Sequence, residues 1–194
     1  MFLPLIANAQ SSQEAIIKQI NTAVSRISTM QCDFEQTKHM KMLNNKLVST
    51  GIMKYQQSDK LRWEYKNPYN YIFILNGSKV YLKKGSRNDV IDIKQNKVFK
   101  SIAQIMMNSV VGKCLTDTKE FDVSIVDANN EWVATLIPQK KELKQMYAKI
   151  ILHFNKSNSI IQTVEMCEKN GDKTIIELKN VQLNKSIDSS AFSN

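Results

Sequence analysis

What most constrains this chain is a repeated unit: a short run of alternating apolar and polar residues, then a turn built on asparagine. Leu61, Trp63 and Tyr65 alternate with Lys60, Arg62 and Glu64, the period-two pattern of a half-buried strand. Asn76-Gly77 is the strongest short hairpin signal, and Asn170-Gly171, Asn44-Asn45 and Asn129-Asn130 supply further turns. Tight turns join only antiparallel neighbours, because parallel strands need a long crossover. The pattern predicts about eleven strands, near 32–42, 46–55, 60–65, 71–75, 79–84, 89–94, 121–127, 131–137, 147–155, 160–168 and 173–184. The run at 71–75 is apolar on both faces, and Pro138 stops the strand before it.

Two segments break the period. Ser11 and Glu14 form a capping-box pair, and Ile16, Ile20, Ala23, Val24, Ile27 and Met30 recur at helical spacing. This predicts a helix from Ser11 to about Thr29 or Met30. Phe99, Ile102, Ala103, Met106, Met107 and Val110 make a second stripe, stopped by Gly112. Eleven strands in one sheet must curl, and two amphipathic helices need somewhere to bury their stripes. The expected fold is mainly β (α+β): an unclosed antiparallel β-barrel of about eleven strands, with an N-terminal helix and a second helix covering the concave face.

The 194 residues suit one domain. Residues 1–9 carry no charge and end in Ala7-Asn8-Ala9, which reads as the remnant of a secretory signal peptide cleaved near Ala9. The domain then spans 10–194 and is periplasmic. No apolar run is long enough to span a bilayer as a helix. The net charge of +9 favours acidic partners, but the lysines are scattered, as solvated strand faces are, and do not cluster with aromatics as nucleic-acid binding needs. Cys32, Cys114 and Cys167 lack CxxC or ligand spacing and read as small buried hydrophobes.

Enzyme chemistry finds no foothold. The two histidines, His39 and His153, have no HExxH or cysteine partners, and no GxSxG, P-loop or GxGxxG is present. His39 reads as solvated and His153 as a satisfied strand residue. The reading is a non-enzyme with no metal and no cofactor.

The order of certain residues then becomes informative. A helix leads to Phe34 and Gln36. Gly51 follows, then Leu61-Arg62-Trp63-Glu64-Tyr65, Pro68, and the Asn76-Gly77 hairpin with Val80 and Tyr81. Gly112, Phe121, Leu136-Ile137-Pro138 and Phe192 complete the series. Over roughly residues 11 to 192 this resembles the outer-membrane lipoprotein carrier family (LolA-like). The resemblance implies an incomplete barrel with a helical lid and an apolar cavity. It also implies a carrier that takes acylated lipoproteins from an inner-membrane exporter to an outer-membrane acceptor. Family members often carry an arginine after the second strand that helps close the lid; here Gln57 stands in that place. Relatives of the family also act as envelope sensors or bind other lipids, since a fold does not fix a cargo.

Nine Met and seven Phe offer the adaptable lining that variable acyl chains require. The candidate lipid-binding residues are Phe34, Met53, Leu61, Trp63, Tyr65, Phe99, Ile102, Met106 and Met107. Their alternative role is ordinary core packing. The expected partners are acylated lipoproteins or another lipid, and no nucleic acid; the protein is expected to be a monomer.

Overall fold

The structure is a computed structural model, and it describes residues 5–57, 59–93, 107, 113–116 and 119–193. Helix α1 spans Leu5–Val24. Six strands follow: β1 (Thr29–Met40), β2 (Asn45–Gln56), β3 (Lys60–Asn67), β4 (Tyr71–Asn76), β5 (Lys79–Lys84) and β6 (Arg87–Asp92). After the connection come β7 (Phe121–Ala128), β8 (Glu131–Pro138), helix α2 (Lys141–Met146), β9 (Tyr147–Asn155), β10 (Ile161–Glu168) and β11 (Lys173–Leu183). A 3-10 turn, Ser189–Phe192, ends the described chain.

All eleven strands join one antiparallel sheet in the order β6-β5-β4-β3-β2-β1-β11-β10-β9-β8-β7. Two meanders are therefore sewn together by pairing the first strand with the last, as in Phe34↔Leu178 and Gln36↔Ile176. β6 and β7 are the free edges, and the connection between them links one edge to the other. Eleven strands laid flat would span about 48 Å at roughly 4.8 Å per strand. Yet one contiguous apolar cluster takes in Val80 of β5, Met53 of β2, Leu178 of β11 and Phe121 and Ile125 of β7. A sheet whose far strands share a core has curled, and its edges stay unclosed.

The turn chemistry follows the sequence. Asn44 and Asn129 sit at φ of 44° and 48°, and Gly77 and Gly171 at 59° and 91°, the left-handed region that Asn and Gly tolerate best. β4 is apolar on both faces because both are covered. Phe73 and Leu75 join the main cluster. Ile74 pairs with Arg62 on the opposite face, where the C-terminal turn packs: Arg62 Nη1 donates to Ala191 O (3.2 Å) and Asn76 Nδ2 to Phe192 O (3.2 Å).

Three expectations need correction. The first helix runs Leu5–Val24, so Ser11 and Glu14 lie within it and do not cap its start. It also stops short of Thr29 and Met30. The apolar spacing continues past Val24 because Ile27 and Met30 are buried too, but Thr29 and Met30 are claimed by strand pairing with Gln56 and Tyr55. The first strand ends at Met40, and Met42 belongs to an exposed turn. Helix α2 was not anticipated; its one buried residue, Leu143, is too weak a periodic signal. The second amphipathic stripe, 99–110, lies outside the described residues except for Met107, which is buried.

α1 closes an edge. The Gln13 side chain donates to Val123 O (3.2 Å) and accepts from Ile125 N–H (3.2 Å), as another strand would. Edge groups left bare invite association, and here a helix side chain answers two of them.

Candidate functional site

The concave face is built in rows, because strand register places matching residues side by side. One row runs Phe34, Gly51, Tyr65, Tyr71 across β1 to β4. The next runs Cys32, Met53, Trp63, Phe73, Leu82, and a third Met30, Tyr55, Leu61, Leu75, Val80. Five of the sequence-chosen residues (Phe34, Met53, Leu61, Trp63 and Tyr65) thus share one face. Phe34, Met53, Leu61 and Trp63 are buried and Tyr65 half-buried. Met107 joins the same cluster. Phe99, Ile102 and Met106 lie outside the described residues.

Aromatic rings concentrate around Phe34. Its centroid is 4.4 Å from that of Trp63 and 5.1 Å from that of Tyr65, the latter edge-on at 84°, which suits the ring quadrupoles. Tyr65 also lies near Tyr69 and Tyr71, at 5.6 and 6.1 Å. Gly51 makes this stacking possible. A Cβ there would stand 1.9 Å from the Glu64 carbonyl oxygen and 2.7 Å from Phe34 Cζ. The β2–β3 register slips at this point, between Thr50 and Gly51, and the Phe34 ring covers the gap.

The apolar face carries a short polar string. The Tyr65 hydroxyl donates to Gln36 Oε1 (2.9 Å). Burial pushes its pKa up to about 12, a rise that nearby Tyr69 adds to and that Trp63 and Gln36 partly offset. Trp63 Nε1 is buried without a well-formed hydrogen bond. Ser49, paired with Gln36 across β1 and β2, is 1% exposed and its hydroxyl has no partner. Cys32 is held as a neutral thiol, its pKa pushed up to about 12 by burial and then by Asp33. None of the three cysteines is in a disulfide.

The second meander completes the face, and the candidate set did not include it. Ile176, Val164, Leu152, Ala134 and Ile125 form one row from β11 to β7, with Ile150, Leu136 and Phe154 beside it; all are buried except Val164, which is half-buried. Alternation in 147–155 carried that signal as clearly as Leu61-Trp63-Tyr65 did. Four hollows of the described surface lie outside this face. Two border Asp33, Ile52 and Asn180 on the convex side, and two flank the outer face of α1.

The convex side is ionic. His153 stands between two carboxylates, Nδ1 being 3.1 Å from Glu131 Oε1 and Nε2 3.3 Å from Glu165 Oε1. Lys173 meets Glu165 at 2.5 Å. His153 is a strand residue held between two carboxylates, but its buried Nε2 lacks a well-formed hydrogen bond, so it is not the fully satisfied residue that its sequence context suggests. Among the described residues no group of His, Cys, Asp and Glu is placed to hold a metal, and no helix is long and apolar enough to cross a membrane.

Comparison with known proteins agrees with this architecture. The chain is 20% identical over 193 residues to the outer-membrane lipoprotein carrier protein of Nitrosospira multiformis, covering 99% of this chain and 90% of that one. It is 25% identical over 185 residues to the protein of the same name from Legionella pneumophila, covering 95% and 85%. In three dimensions it resembles a chain of the Pseudomonas aeruginosa MucA/MucB complex, with a TM-score of 0.54 and 10% identity over 93% of this chain and 60% of that one; at that identity only the fold is shared. The family model for the outer membrane lipoprotein carrier protein LolA matches residues 25–194, from just after α1 to the end of the chain, and the protein belongs to that family.

Proposed function

We propose that the protein is a periplasmic carrier that shields the acyl chains of lipoproteins and ferries them from an inner-membrane exporter to an outer-membrane acceptor. It acts after removal of a signal peptide near Ala9 and performs no catalysis. The observation that carries this is the unbroken apolar face of an unclosed sheet, from Val80 to Ile125, whose edge strands β6 and β7 do not pair with each other. In the proposed site Phe34, Met53, Leu61, Trp63 and Tyr65 line the sheet side. Met107, with Phe99, Ile102 and Met106, lies on the connection that links the free edges and serves as the movable cover.

Magnitudes shape the mechanism. Burying a methylene yields about 0.8 kcal/mol, so three acyl chains fully enclosed would represent tens of kcal/mol. Non-covalent affinity saturates near about 18–21 kcal/mol. A carrier that must release cargo shields the chains partially and uses part of the gain to open its cover. The buried state of Phe34 and Trp63 suits the closed, unloaded form. Chemical selectivity comes from the Gln36–Tyr65 string, whose groups suit an ester or amide within otherwise apolar cargo.

The test is mass spectrometry of material co-purified with the protein from its native envelope under gentle extraction. Acylated lipoprotein is the expected finding. Its absence favours a second reading, a non-catalytic sensor or scaffold of the same fold. The likeness to a chain solved in the MucA/MucB complex supports keeping that reading in play.

A further inference from the structure

At one end of the sheet the β1–β2 hairpin extends past β3, and its turn projects beyond β11. β2 pairs with β1 along its whole length, from Met40↔Asn45 to Thr29↔Gln56. It pairs with β3 only from Thr50↔Asn67 onward, whereas β11 follows β1 to His39↔Lys173, one residue short of its end, so on that side only the turn beyond Met40 projects. Residues 45–49 therefore have β1 as their one strand partner, and with the turn they form a tongue reaching about 17 Å beyond β3 at roughly 3.4 Å per residue.

Its tip is apolar and bare. Met42 is 92% exposed, Leu43 70%, Val48 50% and Leu47 37%. The other exposed large hydrophobics on the described surface, Tyr69, Val90, Val126 and Ile137, fall one each on a loop, β6, β7 and β8. Scattered single residues are ordinary, whereas a cluster marks a contact surface. Leu47 and Val48 are successive strand residues and point to opposite faces. A protein groove would have to grip both faces, while a lipid interface surrounds a protruding element on every side.

Charge points the same way. Lys41 and Lys46 flank the tip, and Lys169 lies in the adjoining β10–β11 turn. Lys169 N–H donates to Met146 O (3.0 Å), which brings Lys141 and Lys144 of α2 to this end. The nearby acids are mostly engaged: Lys38 is 3.1 Å from Glu168 and 3.9 Å from Asp172, and Glu120 pairs with Lys140. Glu142 is the remaining acid of α2. The tongue's base is pinned, because Lys41 N–H donates to Asp172 Oδ1 (3.0 Å).

We propose that this tongue docks the protein on an anionic bilayer surface. Met42, Leu43, Leu47 and Val48 enter the boundary between headgroups and acyl chains, and the surrounding lysines meet lipid phosphates. The polar Asn44-Asn45 turn, whose backbone needs hydrogen-bond partners, keeps the insertion shallow. The contact is independent of what the concave face carries, so a protein that binds no lipoprotein would still show it.

The experiment is flotation of the whole chain with vesicles of phosphatidylethanolamine and phosphatidylglycerol, beside vesicles of phosphatidylcholine alone. The wild type should float with the anionic vesicles, and a Met42→Ser, Leu43→Ser double variant should bind about tenfold more weakly, as loss of buried apolar area requires. Lys41→Gln, Lys46→Gln should weaken binding and lower its salt dependence. Because these side chains are exposed, thermal unfolding of the variants should match the wild type. As an independent readout, Leu43→Trp should shift its emission to the blue on anionic vesicles. A wild type that stays unbound, serine variants that bind equally well, or an unshifted Leu43→Trp spectrum would each overturn the proposal.

Discussion

The two meanders put different chemistry on the same continuous face. Across β1 to β4 the central row is Phe34, Gly51, Tyr65 and Tyr71, large rings folded over a glycine. Across β11 to β7 the matching row is Ile176, Val164, Leu152, Ala134 and Ile125, branched aliphatics with one small residue. Ser49 and Trp63, whose buried polar atoms lack well-formed partners, lie on the concave face of the first meander, whereas His153 Nε2, the atom of this kind in the second meander, lies on the convex face beside Glu165. A buried polar group without a partner costs about 1–3 kcal/mol, and a folded core with no other purpose would place Ala or Phe there. Under the proposed function, the second meander supplies structural packing and the first contacts the ligand.

The largest effect is expected at the seam that lets the aromatic row form. Gly51→Val should destabilise by about 3 kcal/mol or more, since overpacking here presses on a backbone carbonyl that cannot move aside cheaply; denaturant midpoints will measure it. In the aliphatic row, Leu152→Ala should cost about 3 kcal/mol through its cavity, yet leave lipopeptide affinity of the folded protein unchanged. Loss of affinity equal to that of a first-meander variant would erase the distinction between the halves.

Smaller effects sharpen it. Tyr65→Phe removes the hydrogen bond to Gln36 and should cost about 1 kcal/mol, with weaker lipopeptide binding. Its pH signature has a definite sign. Burial raises the Tyr65 pKa from 10.0 to about 12, so the unfolded chain releases the proton first. Stability is intact below pH 10 and falls as pH climbs toward 12; the phenylalanine variant should show a shallower fall in alkaline unfolding scans. Ser49→Ala should change stability least, by within about 1 kcal/mol and toward greater stability, because it deletes a buried hydroxyl that has no partner. A clear loss on thermal unfolding would mean the hydroxyl is engaged after all.

Strand number and turns were legible in the sequence because alternation and asparagine turns are local signals. β5 and β9 were placed to the residue. What local signals do not carry is pairing between distant segments. The joining of β1 to β11 leaves no mark at either strand, and the pairing with Gln56 and Tyr55 that makes Thr29 and Met30 strand and not helix is equally silent in the helical spacing around them. The aromatic residues of the site were found because Leu61-Trp63-Tyr65 alternates cleanly. Alternation puts Gly51 on one strand face but does not reveal its close approach to Phe34 and the Glu64 carbonyl, since a glycine required by close approach looks like any other. Ser49 went unseen, as its burial depends on neighbours from other strands. The bare tongue went unseen for the opposite reason: Met42 continued an apolar alternation that the sheet does not follow.

The central claim is that the concave face of the first meander receives acyl chains, and the chain's two tryptophans allow a direct measurement. Trp63 lies on the aromatic face and Trp132 in the second meander. A Trp132→Phe protein, emitting from Trp63 alone, should be titrated with a triacylated lipopeptide bearing a nitroxide quencher on one acyl chain. Saturable quenching of Trp63, reversed by unlabelled lipopeptide and absent with the deacylated peptide, is the predicted result. Emission from Trp63 that the labelled chain leaves untouched, although the lipopeptide is bound, would contradict the account.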